Sequence, residues 1–162
     1  MAEGQRTLLV VDDEPELRNI LVEMLKQSFP QLNIQTANDG KDAYDKISTQ
    51  RPEIMYTDVG MPQMSGDVLL ERLLEDMKSD STKKPIPTIV TSGLDLNTER
   101  GQRAVEFALR MYTEPQLERI KTYTPPPLPN GQPPHYKGFT SLDKPYNHGD
   151  LIARTQLILD ML

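Results

Sequence analysis

The side chains most suited to chemistry in this sequence are carboxylates, hydroxyls and one lysine that follow short apolar runs. They are Asp12, Asp13, Asp58, Thr91, Ser92 and Lys144. A carboxylate just after a strand either caps the next helix or holds a hard divalent cation through oxygen. A lysine before a proline is usually ordinary surface, and a threonine-serine pair can be a satisfied pair of loop hydroxyls. Each residue is weak evidence alone, so their common position in the fold matters more.

Composition excludes several other kinds of site. The chain has no cysteine, which rules out disulfide scaffolds, thiolate metal sites and cysteine nucleophiles. His135 and His148 are its two imidazoles. Multi-histidine zinc or iron sites are therefore disfavoured, and neither histidine has neighbours that indicate a phosphohistidine carrier.

Charge and hydropathy indicate a globular protein without a basic binding face. Lys and Arg total 18 against 24 Asp and Glu, a formal net charge of −6, which argues against broad attraction to nucleic acid or anionic membranes. The apolar fraction of 36% is enough for a core. Met1–Thr7 is not a secretory signal, and no apolar run reaches the roughly 20 residues that span a bilayer. We expect a soluble, cytoplasmic protein.

Apolar runs alternate with helical patterns, which predicts an α/β fold. The predicted strands are Thr7–Val11, Asn33–Ala37, Glu53–Thr57, Ile86–Thr91 and Gly138–Leu142. The first is apolar throughout, as in a strand buried on both faces, whereas the second alternates and is placed at a sheet edge. Strands separated by helices predict right-handed β-α-β units and a mostly parallel sheet. The working site of such a sheet lies beyond the carboxyl ends of its strands, where the polar residues above fall.

Apolar residues spaced by three and four predict the helices. They run from Pro15 to about Ser28, from Asp39-Gly40 to about Thr49, from Val68 through Leu74 after a turn-rich loop over 60–66, from Thr98 to Tyr112, from Glu114 to Tyr123 and from His148 to Met161. The apolar repeat includes Ile20 in the first helix and Leu109 in the fourth.

The chain between Thr91 and Gly138 is longer than a loop, an average helix and a second loop require, which is about 15–24 residues. Pro125–Pro134 holds six prolines in ten residues, so it is expected to be extended or irregular. We therefore predict one domain over 1–162 with an inserted helical and Pro-rich segment at about 98–137.

Four sequence pieces together resemble the response-regulator receiver domain of two-component signalling. They are Val10–Pro15 (VVDDEP), Asp58–Gly66 (DVGMPQMSG), Ile89–Gly93 (IVTSG) and Asp143–Tyr146 (DKPY). The pieces occur in the family's order, and each lies at the end of a predicted strand. The resemblance covers nearly the whole chain apart from about 98–137.

The resemblance implies a doubly wound five-stranded parallel sheet of order 2-1-3-4-5, with helices on both faces. It makes Asp58 the phosphoacceptor. It also implies that Asp12, Asp13, Asp58 and the backbone carbonyl of Gly60 bind Mg²⁺, because close carboxylates repel one another and attract a divalent ion.

The resemblance also assigns roles to residues of the last two motifs. Lys144 would pair with Asp58 at rest and with a phosphoryl oxygen afterwards. Thr91 would donate its hydroxyl to a phosphoryl oxygen. Pro145 would follow a cis peptide that aims the lysine.

The sequence departs from the family at the residue three positions before the lysine. An aromatic residue is common there, and this chain has Ser141. Phe139 would substitute for it only if its ring can reach the site. Gly60 and Gly93 flank the site without side chains, so we expect no special protection against hydrolysis of a phosphoryl group.

The insertion has three open interpretations. It is a flexible Pro-rich loop, it covers the face that most receivers use for dimerisation, or it forms a new partner surface.

The leading hypothesis is a stand-alone phosphorelay switch, although a piece of a longer protein would look the same. A sensor histidine kinase or histidine phosphotransfer protein would supply the phosphoryl group, and the phosphorylated state would bind an unknown downstream protein differently. Such a chain assists its own phosphorylation and dephosphorylation but is not a conventional enzyme. We expect neither direct nucleic-acid binding nor membrane insertion.

The alternative is a constitutive receiver-like interaction module that is never phosphorylated. Enzymes on similar sheets fit poorly. A haloacid-dehalogenase-type phosphatase needs a second aspartate where Gly60 stands, and nucleotide hydrolases need a glycine-rich loop where Asp12–Pro15 stands.

Overall fold

The fold is a parallel sheet whose strands alternate with helices along the chain. The computed structural model describes residues 4–93, 96, 98–124, 139–144 and 146–162. The elements in chain order are β1 (Thr7–Val11), α1 (Pro15–Ser28), β2 (Asn33–Ala37), α2 (Gly40–Thr49), β3 (Ile54–Asp58), α3 (Gly66–Ser79), β4 (Thr88–Ser92), α4 (Glu99–Leu109), α5 (Glu114–Ile120), β5 (Ser141–Asp143) and α6 (His148–Leu159). The sheet order is β2-β1-β3-β4-β5 with every neighbouring pair parallel, which confirms the predicted architecture.

Helices cover both faces of the sheet because alternate residues of each inner strand point to opposite sides. On one face Leu9 and Met55 pack with the buried sides of α2, α3 and α4. On the other face Leu8 and Ile54 pack with α1 and α6. Strands β1, β3 and β4 are buried at every position, whereas β2 is half-exposed at four of its five, as predicted for an edge strand.

Three strands differ from the prediction in their boundaries. Strand β4 begins at Thr88 rather than Ile86, because Pro87 has no N–H to donate to the ladder. Strand β3 includes Asp58 as its last residue. Strand β5 is Ser141–Asp143 rather than Gly138–Leu142, and Gly138 lies outside the described residues.

Helices α4, α5 and α6 end two or three residues earlier than predicted. The Thr98 side chain caps α4 by accepting a hydrogen bond from the Gly101 N–H at 3.1 Å, so Thr98 precedes the helix instead of opening it. The placement of Ile20 and Leu109 on buried helix faces is wrong, since their side chains are 49% and 39% exposed. The buried stripe of α1 is formed by Leu21, Val22 and Leu25. At 100° per residue Ile20 lies about 140° from Leu25, the middle of that stripe.

The described part of the predicted insertion packs against the rest of the protein. Leu117 and Ile120 of α5 join the apolar cluster that also contains α6. The Arg119 side chain donates to the Asp160 carbonyl at the end of α6, at 3.1 Å. The Pro-rich stretch Pro125–Pro134 lies outside the described residues, so its predicted conformation is not tested. No helix in the described ranges has the length and apolar character needed to cross a bilayer.

A buried ion pair joins α6 to two earlier segments of the chain. Arg154 and Asp150 are one helical turn apart and fully buried, with Arg154 Nε 2.9 Å from Asp150 Oδ1. Arg154 also donates to the backbone carbonyls of Phe139 and Ser141, and the Tyr123 hydroxyl donates to Asp150. One guanidinium thus holds the start of β5 against α6 and the segment that follows α5.

Replacing Arg154 should therefore destabilise the protein strongly. We expect Arg154→Met to lower the free energy of unfolding by about 3–5 kcal/mol, because the Asp150 charge would stay buried without its partner. Lys41→Met is a matched control, since Lys41–Asp45 has the same helical spacing but is exposed, and it should change stability little. Urea unfolding measures both variants, and equal losses would contradict a special role for the buried pair.

Candidate functional site

Strand register brings the predicted site residues together at the carboxyl end of the sheet. Val11 of β1 lies opposite Thr57 of β3, so Asp12, which follows β1, lies beside Asp58. Asp58 in turn lies opposite Thr91 of β4. Because adjacent strands are about 4.8 Å apart, polar side chains from three strand ends share one small volume.

Three carboxylates form the acidic part of this site. One oxygen from each of Asp12, Asp13 and Asp58 lies within 4.8 Å of the other two. Asp12 and Asp58 are buried and Asp13 is half-buried. Asp12 Oδ1 also accepts the Glu14 N–H at 2.9 Å, which fixes that carboxylate. A donor set made only of oxygen suits a hard cation such as Mg²⁺.

Lys144 supplies the positive charge of the site. Its Nζ lies 2.7 Å from Asp12 Oδ2 and 3.3 Å from Asp58 Oδ1. The expected pairing with Asp58 is therefore present, but the contact with Asp12 is closer. The Lys144 N–H donates to the Ser92 carbonyl at 3.1 Å, so β4 positions the lysine backbone.

The site raises the pKa values of both Asp58 and Lys144. Burial raises the pKa of Asp58 and so does the neighbouring Asp12 charge, while Lys144 opposes them in part. Burial alone would lower the pKa of Lys144, but the hydrogen bond to Asp12 and the nearby negative charges outweigh it. Lys144 therefore stays an ammonium, and the surroundings of Asp58 disfavour its charged form.

Close backbone packing fixes the loop after Asp58. A Cβ on Gly66 would lie 2.1 Å from the Asp58 carbonyl oxygen, and the Gly66 N–H donates to the Val59 carbonyl at 2.9 Å. The Gly40 N–H donates to the Met64 carbonyl at 3.1 Å, which joins the start of α2 to the same loop. The first residue of α3 must therefore be glycine for the loop to close against Asp58.

The structure places Thr91 next to Asp58 but does not test the predicted roles of Gly60 and Pro145. Thr91 is buried in β4 beside Asp58. Gly60 is exposed and lies two residues beyond Asp58, and the role of its carbonyl stays a prediction. Gly93 is exposed next to the Lys144 side chain. Pro145 lies outside the described residues, so the expected cis peptide is not tested.

Phe139 does not reach Thr91. Its ring packs edge-on against Tyr112 and Tyr123, with centroid separations of 6.2 and 5.0 Å. Tyr112 in turn donates to the carbonyl of Thr88, at the opposite end of β4 from Thr91. Phe139 therefore does not meet the condition for replacing the missing aromatic residue near the lysine.

The structure instead places Tyr146 at the site, which the sequence reasoning missed. The Tyr146 hydroxyl lies beside Thr91, and the charges of Lys144, Asp12 and Asp58 act on it. An available signal was its position two residues after the lysine, since Lys144 is itself tied to the end of β4.

Comparison with known proteins identifies the family. The family model of the response regulator receiver domain matches residues 8–112. The chain belongs to this family. A search of solved structures agrees on the receiver fold. FixJ-N superposes with a TM-score of 0.63 at 20% identity, covering 98% of this chain and 97% of that one. The chemotaxis response regulator CheY4 of Vibrio cholerae gives 0.62 at 19% identity, covering 96% and 99%.

The similar curated proteins are much longer than this chain. The protein-glutamate methylesterase/protein-glutamine glutaminase 3 of Vibrio cholerae is 34% identical over 87 residues, which are 54% of this receiver chain and 22% of the relative. The protein-glutamate methylesterase/protein-glutamine glutaminase 1 of Hahella chejuensis is 38% identical over 102 residues, which are 63% of this chain and 26% of the relative. The receiver chain thus spans about a quarter of these relatives, and their enzymatic names describe longer proteins.

Because the pKa of Asp58 is raised, replacing its carboxyl group should stabilise the fold by an amount that depends on pH. The pKa of Asp58 is higher in the folded state than in the unfolded state. At a pH above both pKa values ionised Asp58 therefore destabilises the fold, and at a pH below both values, where it is protonated in both states, it does not change stability. Asp58→Asn should therefore raise stability at pH 7 by on the order of 1 kcal/mol, with a smaller gain at pH 3.5. Thermal unfolding without Mg²⁺ at the two pH values measures this. An equal gain at both would contradict a charge-based cause.

The two glycines of the site should differ in tolerance to a methyl group. Gly66→Ala should lower the free energy of unfolding by about 1–3 kcal/mol, because its Cβ would collide with backbone. Gly93→Ala is the matched control, since its Cβ would lie 3.7 Å from Lys144 Cδ, an ordinary contact. Chemical denaturation of both variants tests the difference, and a tolerant Gly66→Ala would show that the loop does not depend on this packing.

Proposed function

We propose that Asp58 is the phosphoacceptor of a two-component response regulator and that its phosphorylation changes partner binding. The observation that carries the proposal is the cluster of Asp12, Asp13 and Asp58 at the strand ends of a receiver domain, with the Lys144 ammonium in contact with Asp12 and Asp58. A buried carboxylate beside a fixed cation is suited to receive a phosphoryl group.

The reaction transfers a phosphoryl group from a phosphohistidine to Asp58. A carboxylate oxygen of Asp58 forms a bond to phosphorus as the phosphorus–nitrogen bond breaks, and the imidazole of the donor keeps the bonding electron pair. The attacking carboxylate and the phosphoryl oxygens repel each other, so catalysis consists of positioning and charge neutralisation. Lys144 supplies one positive charge and would pair with a phosphoryl oxygen in the product.

Asp12, Asp13, Asp58 and the Gly60 carbonyl would hold Mg²⁺, whose oxygen preference their donor set matches. When bound, the ion would neutralise charge on the carboxylates and on the incoming phosphoryl oxygens. The residues of the chain would then orient the product. Thr91, opposite Asp58 in the register, would donate its hydroxyl to a phosphoryl oxygen.

The partners follow from this chemistry. A sensor histidine kinase or a histidine phosphotransfer protein supplies the phosphoryl group, and a downstream protein binds the phosphorylated state.

We assign the chain as one cytoplasmic receiver domain over 1–162 with an inserted segment at about 98–137. It assists its own phosphorylation and dephosphorylation without acting as a conventional enzyme. Gly60 and Gly93 leave the phosphoryl group accessible to water, so its lifetime should be short rather than many hours.

Intact-mass analysis after incubation with acetyl phosphate tests the proposal. The wild-type chain should gain one phosphate in the presence of Mg²⁺ and none in the presence of a chelator. Asp58→Ala should gain none, while the control Asp45→Ala, which changes an exposed carboxylate on α2, should gain one like the wild type. No gain in the wild type would favour a constitutive interaction module, and a gain that persists in Asp58→Ala would place the phosphate elsewhere.

A further inference from the structure

Tyr146 carries a buried hydroxyl that has no hydrogen-bond partner of normal geometry among the described residues. Its ring packs into the apolar cluster between the sheet and α6. The hydroxyl lies beside Thr91, close to the Lys144 ammonium and within the field of the Asp12 and Asp58 carboxylates.

A buried unpartnered hydroxyl is uncommon, because its lost hydration costs on the order of 1–3 kcal/mol when nothing replaces it. The apolar packing of the Tyr146 ring gives no reason for a hydroxyl, since phenylalanine would fill the same space. The polar atom therefore suggests a second state of the site in which the hydroxyl is used.

We propose that Tyr146 is a positioning residue that donates a hydrogen bond to the Thr91 hydroxyl when Asp58 is phosphorylated. This inference rests on the proposed function.

The donor and acceptor positions of the Thr91 hydroxyl support a hydrogen bond donated by Tyr146. A threonine hydroxyl has one donor and two acceptor positions, so Thr91 can give its hydrogen to a phosphoryl oxygen and still accept one. Tyr146 can give that hydrogen, because burial raises its pKa to about 12 and the phenol stays protonated at neutral pH. Successive hydrogen bonds polarise each other, so each strengthens the next.

The chain path holds Tyr146 close enough for this role. Leu142 lies opposite Thr91 in the ladder between β4 and β5, and the Lys144 N–H is bonded to the Ser92 carbonyl. Tyr146 follows two residues later, just before α6 begins at His148. A small inward movement of Thr91 or of the Tyr146 ring would complete the hydrogen bond without moving the sheet.

Beryllofluoride with Mg²⁺, a non-covalent mimic of the phosphoryl group, provides the test. Its dissociation constant, measured by ¹⁹F NMR titration, should rise about 3- to 10-fold in Tyr146→Phe, the effect of one hydrogen bond. Tyr112→Phe is the matched control, because it removes another buried tyrosine hydroxyl, bonded to Thr88 at the far end of β4, and should leave the constant unchanged.

A double-mutant cycle separates positioning from packing. In a Thr91→Val background Tyr146→Phe should have no further effect, whereas in Thr91→Ser, which keeps the hydroxyl, the 3- to 10-fold effect should return. An unchanged constant in Tyr146→Phe, or the same penalty with valine at position 91, would overturn the inference. If the wild type binds no beryllofluoride and gains no phosphate from acetyl phosphate, the proposed function fails instead.

Discussion

The site depends on an imbalance of charge between three clustered carboxylates and one ammonium. Asp12, Asp13 and Asp58 carry three negative charges against the single positive charge of Lys144, which leaves a formal charge of −2 at the sheet edge. Because two of these carboxylates are buried, water screens their repulsion poorly. A divalent cation would neutralise the four groups, and the charge of an added phosphoryl group would disturb that balance. Both the proposed reaction and its use as a signal follow from this arrangement.

The fold maintains this charge arrangement through backbone contacts that apolar packing supports. The parallel register sets Asp58 between Asp12 and Thr91, and the sheet cannot slip without moving buried side chains to the wrong face. The Lys144 backbone is bonded to β4, and Gly66 closes the loop against Asp58. Stability lost at the charged site is offset by the two apolar clusters that cover the faces of the sheet.

Sequence predicted the elements and the acidic cluster because both depend on local pattern. An apolar run ending in aspartate indicates a buried strand with a polar end, and parallel topology brings such ends together. Other features depend on the path of the chain in space. The Tyr146 hydroxyl and the burial of Arg154 follow from how β5 and α6 are placed, which periodicity does not report. The left-handed φ of 64° at Gln63 could not be predicted from the sequence either, because glutamine is not a typical residue for that conformation.

The Mg²⁺ dissociation constant, measured by isothermal titration calorimetry at pH 7, tests the charge balance most directly. The account predicts that Asp13→Asn weakens Mg²⁺ binding and that Lys144→Met strengthens it, because the first change removes negative charge and the second removes the competing cation. Failure of the wild type to bind Mg²⁺, or constants unchanged in both variants, would contradict the account.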